Sequence, residues 1–195
     1  EGNPDFFKIA EYTRSKGVIP NVTINGDRMT PELYDKIAEI MGATAISVYD
    51  KDISYNAVKE LTDRGMTQVN IHQMISEETY DITKEVLKDK LTDPRLEKLN
   101  AIVLLSLKPK GRAIKNNFNK LSQEKFNDLF KFALDNGIVV GFDSCSAAKS
   151  FNYVRTNEKL KYMEKYIEPC ESGVYSSYIN VLGDYYPCSF SEGEG

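Results

Sequence analysis

The stretch Thr30–Asp50, TPELYDKIAEIMGATAISVYD, decides the fold because it contains one helix followed directly by one strand. Thr30 can cap the helix, and Pro31 suits its first position. Gly42 ends the helix, and Ala43–Tyr49 then forms the strand. The helix is amphipathic because its apolar side chains recur at helical spacing. These side chains are Leu33, Ile37, Ile40 and Met41.

The same alternation of helix and strand continues on both sides of this stretch. The predicted strands are Val18–Ile24, Ala43–Tyr49, Thr67–Met74, Ala101–Leu107 and Ile138–Val140. Ala101–Leu107 is almost continuously apolar, which is typical of a strand that is buried on both faces. Regular alternation predicts right-handed βαβ units and a parallel sheet, either open or closed into a barrel. The predicted fold class is therefore α/β.

Capping residues and glycines mark the other helices. The first helix is predicted from Asn3, and the side chains predicted to face a core are Phe6, Phe7, Ile9, Ala10 and Tyr12. Ser76 and Ser122 begin later helices, and glycines end most of the series. Beyond Cys145 the pattern changes, and one more helix is predicted over Asn157–Ile167.

Polar residues follow the predicted strands where each strand ends. In parallel sheets and barrels, the functional groups lie at the carboxyl ends of the strands. The polar strand ends are Asn25-Gly26, Ser47, Asp50, Asn70, His72, Ser106 to Lys108, and Asp143-Ser144-Cys145. His72 is the single histidine, and it shares a strand face with Asn70. It could contact substrate or donate a proton, although a structural histidine is the commoner meaning.

Two of the three cysteines bracket the segment Cys170–Cys188, CESGVYSSYINVLGDYYPC. Strand-forming residues flank Gly183–Asp184, so the segment predicts a β-hairpin with a two-residue turn that draws both cysteines together. The third cysteine, Cys145, is separated from Cys170 by 24 residues. The spacing alone leaves three interpretations open: an iron–sulfur cluster, a zinc site, or unremarkable buried thiols.

Composition excludes several functional classes. The chain has 195 residues, of which 41% are hydrophobic and 28% are charged, as in ordinary globular proteins. A net charge of −4 creates no field for nucleic acid, and the basic run Lys108–Lys120 is most often a solvated loop. Neither a membrane-spanning run nor a signal peptide is present in the sequence. Because the cysteine count is small and odd, a reduced, cytoplasmic setting is predicted.

The spacing of Cys170, Gly183 and Cys188 is C-x(12)-G-x(4)-C. It resembles the C-x(9–15)-G-x(4)-C opening of the SPASM and twitch extensions of radical S-adenosylmethionine enzymes. Segments of the βα series resemble motifs of the same superfamily, in family order. These are Glu1–Pro4, similar to the Gly-Gly-Glu-Pro motif; Asn21–Gly26, similar to the TNG strand end; Ser47–Asp50, similar to a Ser-x-Asp strand end but one residue wider; and the later rim segments Val69–Gln73 and Leu107–Arg112.

The resemblance implies a specific architecture and chemistry. Residues 1–142 would form a partial (β/α) barrel of the TIM type, and residues 143–195 the beginning of a SPASM- or twitch-like domain. It implies that S-adenosylmethionine is bound by Glu1, Gly2, Asn25, Ser47 and Asp50, and that an auxiliary [4Fe–4S] cluster is held by Cys145, Cys170 and Cys188. The intact enzyme would modify a peptide or protein through a 5′-deoxyadenosyl radical. A flavodoxin or ferredoxin would supply electrons.

One family motif is missing from this sequence. The C-x(3)-C-x(2)-C loop, which holds the catalytic cluster in the superfamily, does not occur. We expect it upstream of Glu1, so that the chain is a fragment that is inactive by itself. Two alternatives remain open: a zinc-containing enzyme on an α/β barrel, and a degenerate barrel that binds a peptide without catalysis. Nucleic acid and membranes are not expected partners.

Overall fold

Five parallel strands form the main sheet of the structure, a computed structural model that describes residues 3–192. The strands are β1 (Asn21–Ile24), β2 (Ala43–Ser47), β3 (Val69–Ile75), β4 (Ala101–Ser106) and β5 (Val140–Phe142). They lie side by side in chain order, with β1 and β5 at the two edges of an open sheet. The predicted α/β class and the parallel sheet are confirmed.

Helices connect the strands. They are α1 (Phe6–Ser15), α2 (Pro31–Ile40), α3 (Lys51–Asp63), α4 (Tyr80–Thr92), α5 (Arg112–Lys115), α6 (Gln123–Asp135) and α7 (Ala147–Arg155). Short 3-10 turns cover Pro94–Leu96, Ser144–Ser146 and Lys161–Tyr166. Helix α2 begins as predicted, because Thr30 Oγ1 accepts a hydrogen bond from the N–H of Leu33 and Pro31 occupies the first position. Between residues 3 and 192, every helix is too short or too polar to cross a bilayer.

The described residues divide into two compact units. The first consists of residues 3–73, 81–104 and 130–141 and contains most of the five-stranded sheet. The second consists of residues 74–80, 105–129 and 142–192 and contains all three cysteines of the chain. The predicted domain boundary after residue 142 stays a prediction.

A fully buried apolar layer stabilises the first unit. Ile46 on β2 and Ile71 on β3 are partners in the parallel register, and both are completely buried. Leu104 on β4 is completely buried as well, and α3 contributes Val58 and Leu61 to the core. Since burying a side chain of this size contributes about 1.5–3 kcal/mol, this layer is the main source of stability in the unit.

A buried tyrosine joins α3 to α4 within the first unit. The hydroxyl of Tyr55 donates a hydrogen bond to Asp89 Oδ2 at 2.9 Å, and Lys51 forms an ion pair with the same carboxylate at 2.6 Å. The guanidinium of Arg95 lies 5.2 Å from the centre of the tyrosine ring. Burial, followed by the bond to Asp89, raises the pKa of Tyr55 far above its usual range. The phenol therefore stays protonated and remains a donor.

The first helix begins later than predicted and is more exposed. Its N-cap is Asp5, and Asn3 instead accepts a hydrogen bond from the N–H of Asp5 at 2.9 Å in a turn before the helix. Ile9 and Tyr12 are exposed, so the prediction that they face a core is wrong; Ala10 is the buried residue of the helix. Because α1 precedes the edge strand β1 and packs against α2, few elements cover it.

The region between β5 and the cysteine-bracketed segment also differs from the prediction. The sequence predicts one helix over Asn157–Ile167, but α7 lies earlier and only a 3-10 turn occupies Lys161–Tyr166. Small polar residues on the buried side of α7 explain the difference. Ser150 is completely buried, and its hydroxyl donates a hydrogen bond to the carbonyl of Ser146 at 3.2 Å. Such satisfied serines hide the apolar periodicity by which a helix is normally found.

The predicted hairpin is confirmed, but its connection is longer. Strands β6 (Tyr178–Ile179) and β7 (Tyr185–Tyr186) pair in the antiparallel sense. Residues 180–184 connect them, so the predicted two-residue turn at Gly183–Asp184 is wrong. Asn180 causes the difference, since its Oδ1 accepts hydrogen bonds from the backbone N–H groups two and four residues later, both at 2.9 Å. Asparagine side chains form loops in this way.

We expect the substitution Tyr55→Phe to lower the free energy of unfolding by about 1.5 kcal/mol, because it removes a hydrogen bond to a charged acceptor. Urea denaturation monitored by circular dichroism measures the change. Tyr49→Phe is the matched control, since Tyr49 is exposed and its loss should have an effect within about 0.5 kcal/mol. Equal effects of the two substitutions would contradict the structural role of the Tyr55 hydroxyl.

Candidate functional site

Cys145 lies on the 3-10 turn that follows β5, in the second unit, and is exposed. Asp143 fixes this turn from one side. Its carboxylate forms an ion pair with Lys108 and accepts hydrogen bonds from the N–H of Ser106, at 3.3 Å, and from the hydroxyl of Ser146. A charged and hydrogen-bonded anchor therefore holds the segment that carries the Cys145 thiol.

Cys170 is exposed and has hydroxyl groups on two sides. Its thiol donates a hydrogen bond to Ser172 Oγ at 3.2 Å. When the sulfur is ionised, hydrogen bonds from Ser172, and to a smaller extent from Ser144, lower the pKa of Cys170 below its ordinary value. Because Ser144 is the residue before Cys145, this contact brings the two cysteine segments next to each other.

Cys188 is half-buried, and its sulfur accepts a hydrogen bond from the backbone N–H of Phe190 at 3.4 Å. Two residues of the basic run hold Phe190 in place. Lys108 Nζ lies 5.4 Å from the centre of the phenyl ring, and Lys110 donates a hydrogen bond to the carbonyl of Phe190. These two lysines therefore contact the cysteine segment as well as solvent.

The three thiols occupy one neighbourhood of the second unit. The pKa of Cys145 is raised, first by partial burial of its sulfur, and further by the negative charges of Asp143, Cys170 and Cys188; Lys108 opposes the rise. Charges at a protein surface influence one another over about 10 Å. The three cysteines that the resemblance implies as metal ligands are far apart in the chain, yet they lie close enough for their charges to interact.

The described residues contain no ready site for a single metal ion. Among residues 3–192, no three histidine, cysteine, aspartate or glutamate side chains are grouped so that they could hold one metal ion. A zinc site requires its thiolates to surround one point. In a [4Fe–4S] cluster each thiolate binds a different iron, so the sulfurs stand farther apart. The [4Fe–4S] cluster that the resemblance implies therefore stays a prediction.

The first unit contains the predicted cofactor residue Asn25, in the loop after β1. Its Oδ1 accepts a hydrogen bond from the N–H of Asp27 at 3.0 Å, which closes a tight turn. The next residue, Gly26, has a φ of +81°, and a Cβ there would lie 2.8 Å from the Cβ of Ala57 on α3. Both facts require glycine. The loop that carries Asn25 is therefore packed directly on α3.

Ser47 and Asp50 follow β2 in the same unit. Ser47 is paired with His72 of β3, and its carbonyl accepts a hydrogen bond from Ser54 Oγ at 3.3 Å. Asp50 is the N-cap of α3, since its carboxylate accepts a hydrogen bond from the N–H of Ile53 at 3.0 Å. The register of β1 and β2 places Asn25 and Ser47 at neighbouring strand ends. Glu1 and Gly2 lie outside the described residues.

The less buried face of the sheet carries polar side chains around a shallow depression of about 280 Å³. The prediction that Asn70 and His72 share a strand face is confirmed, because both line this depression. Asn70 Oδ1 accepts a hydrogen bond from Asn100 Nδ2 at 2.8 Å. Sequence reasoning missed Asn21 and Thr23 on the same face. Their alternation with apolar residues along β1 is the signal that could have identified them.

The predicted site residues of the described part of the chain lie in two groups. Asn25 and Ser47 lie at neighbouring strand ends in the first unit. The three cysteines lie in the second. No protein-family model and no curated protein matches this chain. Its function is therefore inferred from the placement and chemistry of these side chains.

We expect Cys170 to react with iodoacetamide faster than Cys145 in the metal-free protein near neutral pH. Both residues are exposed, but the pKa of Cys170 is lowered and that of Cys145 is raised, so Cys170 has the larger thiolate fraction. Peptide mapping by mass spectrometry measures both rates. Ser172→Ala should raise the pKa of Cys170 and slow its alkylation, whereas Ser177→Ala should not. Faster reaction of Cys145 would contradict the geometry.

We expect Asp50→Ala to lower the free energy of unfolding by about 1 kcal/mol, because α3 loses its N-cap. Asp50→Asn is the matched variant, since asparagine caps helices as well as aspartate does and should leave stability nearly unchanged. Chemical denaturation compares the two. The asparagine variant therefore tests any role of the charge in ligand binding without disturbing the helix. A loss of stability with asparagine equal to that with alanine would show that the cap is not the relevant interaction.

Proposed function

We propose that this chain belongs to a radical S-adenosylmethionine enzyme that carries an auxiliary [4Fe–4S] cluster and modifies a peptide or protein. The gathering of Cys145, Cys170 and Cys188 in one compact unit carries the proposal. Two of these cysteines also have the C-x(12)-G-x(4)-C spacing around Gly183. The spacing supports Cys170 and Cys188 as ligands, and the electrostatic interaction of Cys145 with both supports adding the third thiol.

The order of the strands supports a barrel as the parent architecture. Each of the five strands lies next to its predecessor and runs in the same direction, as consecutive strands of a (β/α) barrel do. The open edge at β1 allows another strand to pair there. The polar depression on one face of the sheet also fits the interior of a barrel that holds a ligand. We therefore propose that residues 1–142 are part of such a barrel.

The chain's own contribution to the auxiliary cluster is three thiolates with fixed surroundings. The N–H of Phe190 donates a hydrogen bond to the sulfur of Cys188, and the thiol of Cys170 is hydrogen-bonded to Ser172 Oγ, which becomes the donor once the sulfur is ionised. Hydrogen bonds to sulfur stabilise the thiolate, and they are one of the means by which a protein sets a cluster's reduction potential. The ligand segment of Cys145 is held by the ion pair between Asp143 and Lys108. The fourth ligand is to be sought downstream of Gly195.

Residues at the strand ends of the first unit would hold S-adenosylmethionine. Asn25 and Ser47 offer amide and hydroxyl groups at neighbouring strand ends, and Asp50 offers a carboxylate that suits ribose hydroxyls. In the superfamily, a reduced cluster and this cofactor together supply a 5′-deoxyadenosyl radical. The proposal requires a C-x(3)-C-x(2)-C loop upstream of Glu1 and an electron donor such as a flavodoxin or ferredoxin.

Metal analysis of the full-length protein tests this function. The protein is reconstituted anaerobically with iron and sulfide, and iron, acid-labile sulfide and zinc are measured per chain. Cys170→Ala and Cys188→Ala should each remove about four iron atoms per chain, one cluster's content, and leave the catalytic cluster in place. Ser189→Ala, adjacent to Cys188, is the matched control and should bind the full amount.

Three results would contradict the proposal. Zinc without sulfide, lost in both cysteine variants, would identify a zinc-containing barrel enzyme instead. Unchanged iron in both variants would show that these thiols are not cluster ligands. An upstream coding sequence without the C-x(3)-C-x(2)-C loop would favour a degenerate barrel that binds a peptide without catalysis.

A further inference from the structure

The loop between β6 and β7 displays two apolar side chains in a rigid setting. Val181 is 100% exposed and Leu182 is 82% exposed. Asn180, which is almost completely buried, holds the loop in this form. Besides the two bonds that its Oδ1 accepts, its Nδ2 donates hydrogen bonds to Asp184 Oδ2 at 3.1 Å and to Glu192 Oε1 at 3.0 Å. The hydrogen bonds of Asn180 therefore fix the loop in a conformation that exposes both side chains.

The apolar surface continues from the loop onto the strands. Ile179 and Tyr185 lie opposite each other across the β6–β7 pair, and they are 64% and 67% exposed. We call Ile179, Val181, Leu182 and Tyr185 the hairpin tip. Clusters of exposed apolar side chains on a preformed element mark interaction sites. Because Asn180 already orders the loop, binding of a partner would cost little loop entropy.

The charge around the hairpin tip defines the chemistry of a partner. From residue 167 to residue 195 the sequence contains five acidic residues and no lysine, arginine or histidine: Glu168, Glu171, Asp184, Glu192 and Glu194. Asp184 and Glu192 lie beside the tip, because both accept hydrogen bonds from Asn180. Both residues are exposed. A second copy of the chain would bring the same negative charge, and anionic lipid would be repelled in the same way.

We propose that the hairpin tip docks a peptide segment that carries aliphatic and basic side chains. Its aliphatic groups cover Val181 and Leu182, and its basic groups approach Asp184 and Glu192. The inference rests on the proposed function only in identifying this peptide as part of the substrate. The docking surface itself is formed by residues that are not cluster ligands.

Fluorescence anisotropy with the full-length protein tests the docking. The probe is a labelled peptide of repeated Gly-Lys-Leu units, and the comparison peptides have Glu in place of Lys or Ser in place of Leu. We expect only the Gly-Lys-Leu peptide to bind well. The double variant Val181→Ser/Leu182→Ser should raise its Kd about tenfold or more. Val18→Ser is the matched control, because Val18 is an exposed valine of the first unit.

A second pair of substitutions tests the charges separately. Asp184→Asn/Glu192→Gln keeps the oxygen atoms that accept hydrogen bonds from Asn180 but removes both negative charges. We expect weaker binding and a smaller dependence of Kd on salt concentration. Equal binding of all three peptides, or an unchanged Kd in the Val181→Ser/Leu182→Ser variant, would overturn the inference.

Two further measurements address other occupants of the hairpin tip. If Val181→Ser/Leu182→Ser abolishes self-association in sedimentation, or abolishes binding to phosphatidylserine vesicles, the tip serves a second copy or a membrane and the inference is wrong. Iron and sulfide are measured on the same samples. Protein that contains the auxiliary cluster but does not discriminate between the peptides would overturn the docking inference alone and leave the proposed function intact.

Discussion

The burial of one face of the parallel sheet is the constraint on which the first unit depends. Ile46, Ile71 and Leu104 are completely buried on successive strands. Parallel strands need long connections, and these connections are the helices that cover the buried face. Once the helices occupy that face, polar residues such as Asn70 and His72 lie on the opposite face, whereas Thr44 and Gln73 are buried. Asn25 and Ser47 lie at neighbouring strand ends.

The second unit is held together in a different way around its cysteines. Asp143 is bonded to Lys108, Ser106 and Ser146, and Asn180 makes four side-chain hydrogen bonds in the hairpin loop. Polar anchors of this kind fix individual segments, in addition to the fully buried apolar side chains of the unit such as Phe126 and Leu129.

The sequence predicted those parts of the structure in which local pattern and packing agree. Helix α2 and strand β2 follow from capping and periodicity, and the parallel sheet follows from regular alternation. Predictions failed where a single side chain or backbone bond decides the outcome. Ile138 was assigned to the last strand, but its N–H donates a hydrogen bond to Ala133 at the end of α6. The anchor that holds the Cys145 segment joins residues 35 positions apart, which local patterns do not reveal.

The contact between Gly26 and Ala57 links the outer helical layer to the edge where the strands end. The Cβ position at residue 26 is already filled by Ala57, so the loop after β1 has no room to retreat from α3. A larger residue at position 57 would push on that loop and displace Asn25, although position 57 itself lies on helix α3. A substitution on helix α3 can therefore change the position of a residue at the strand ends through steric contact alone.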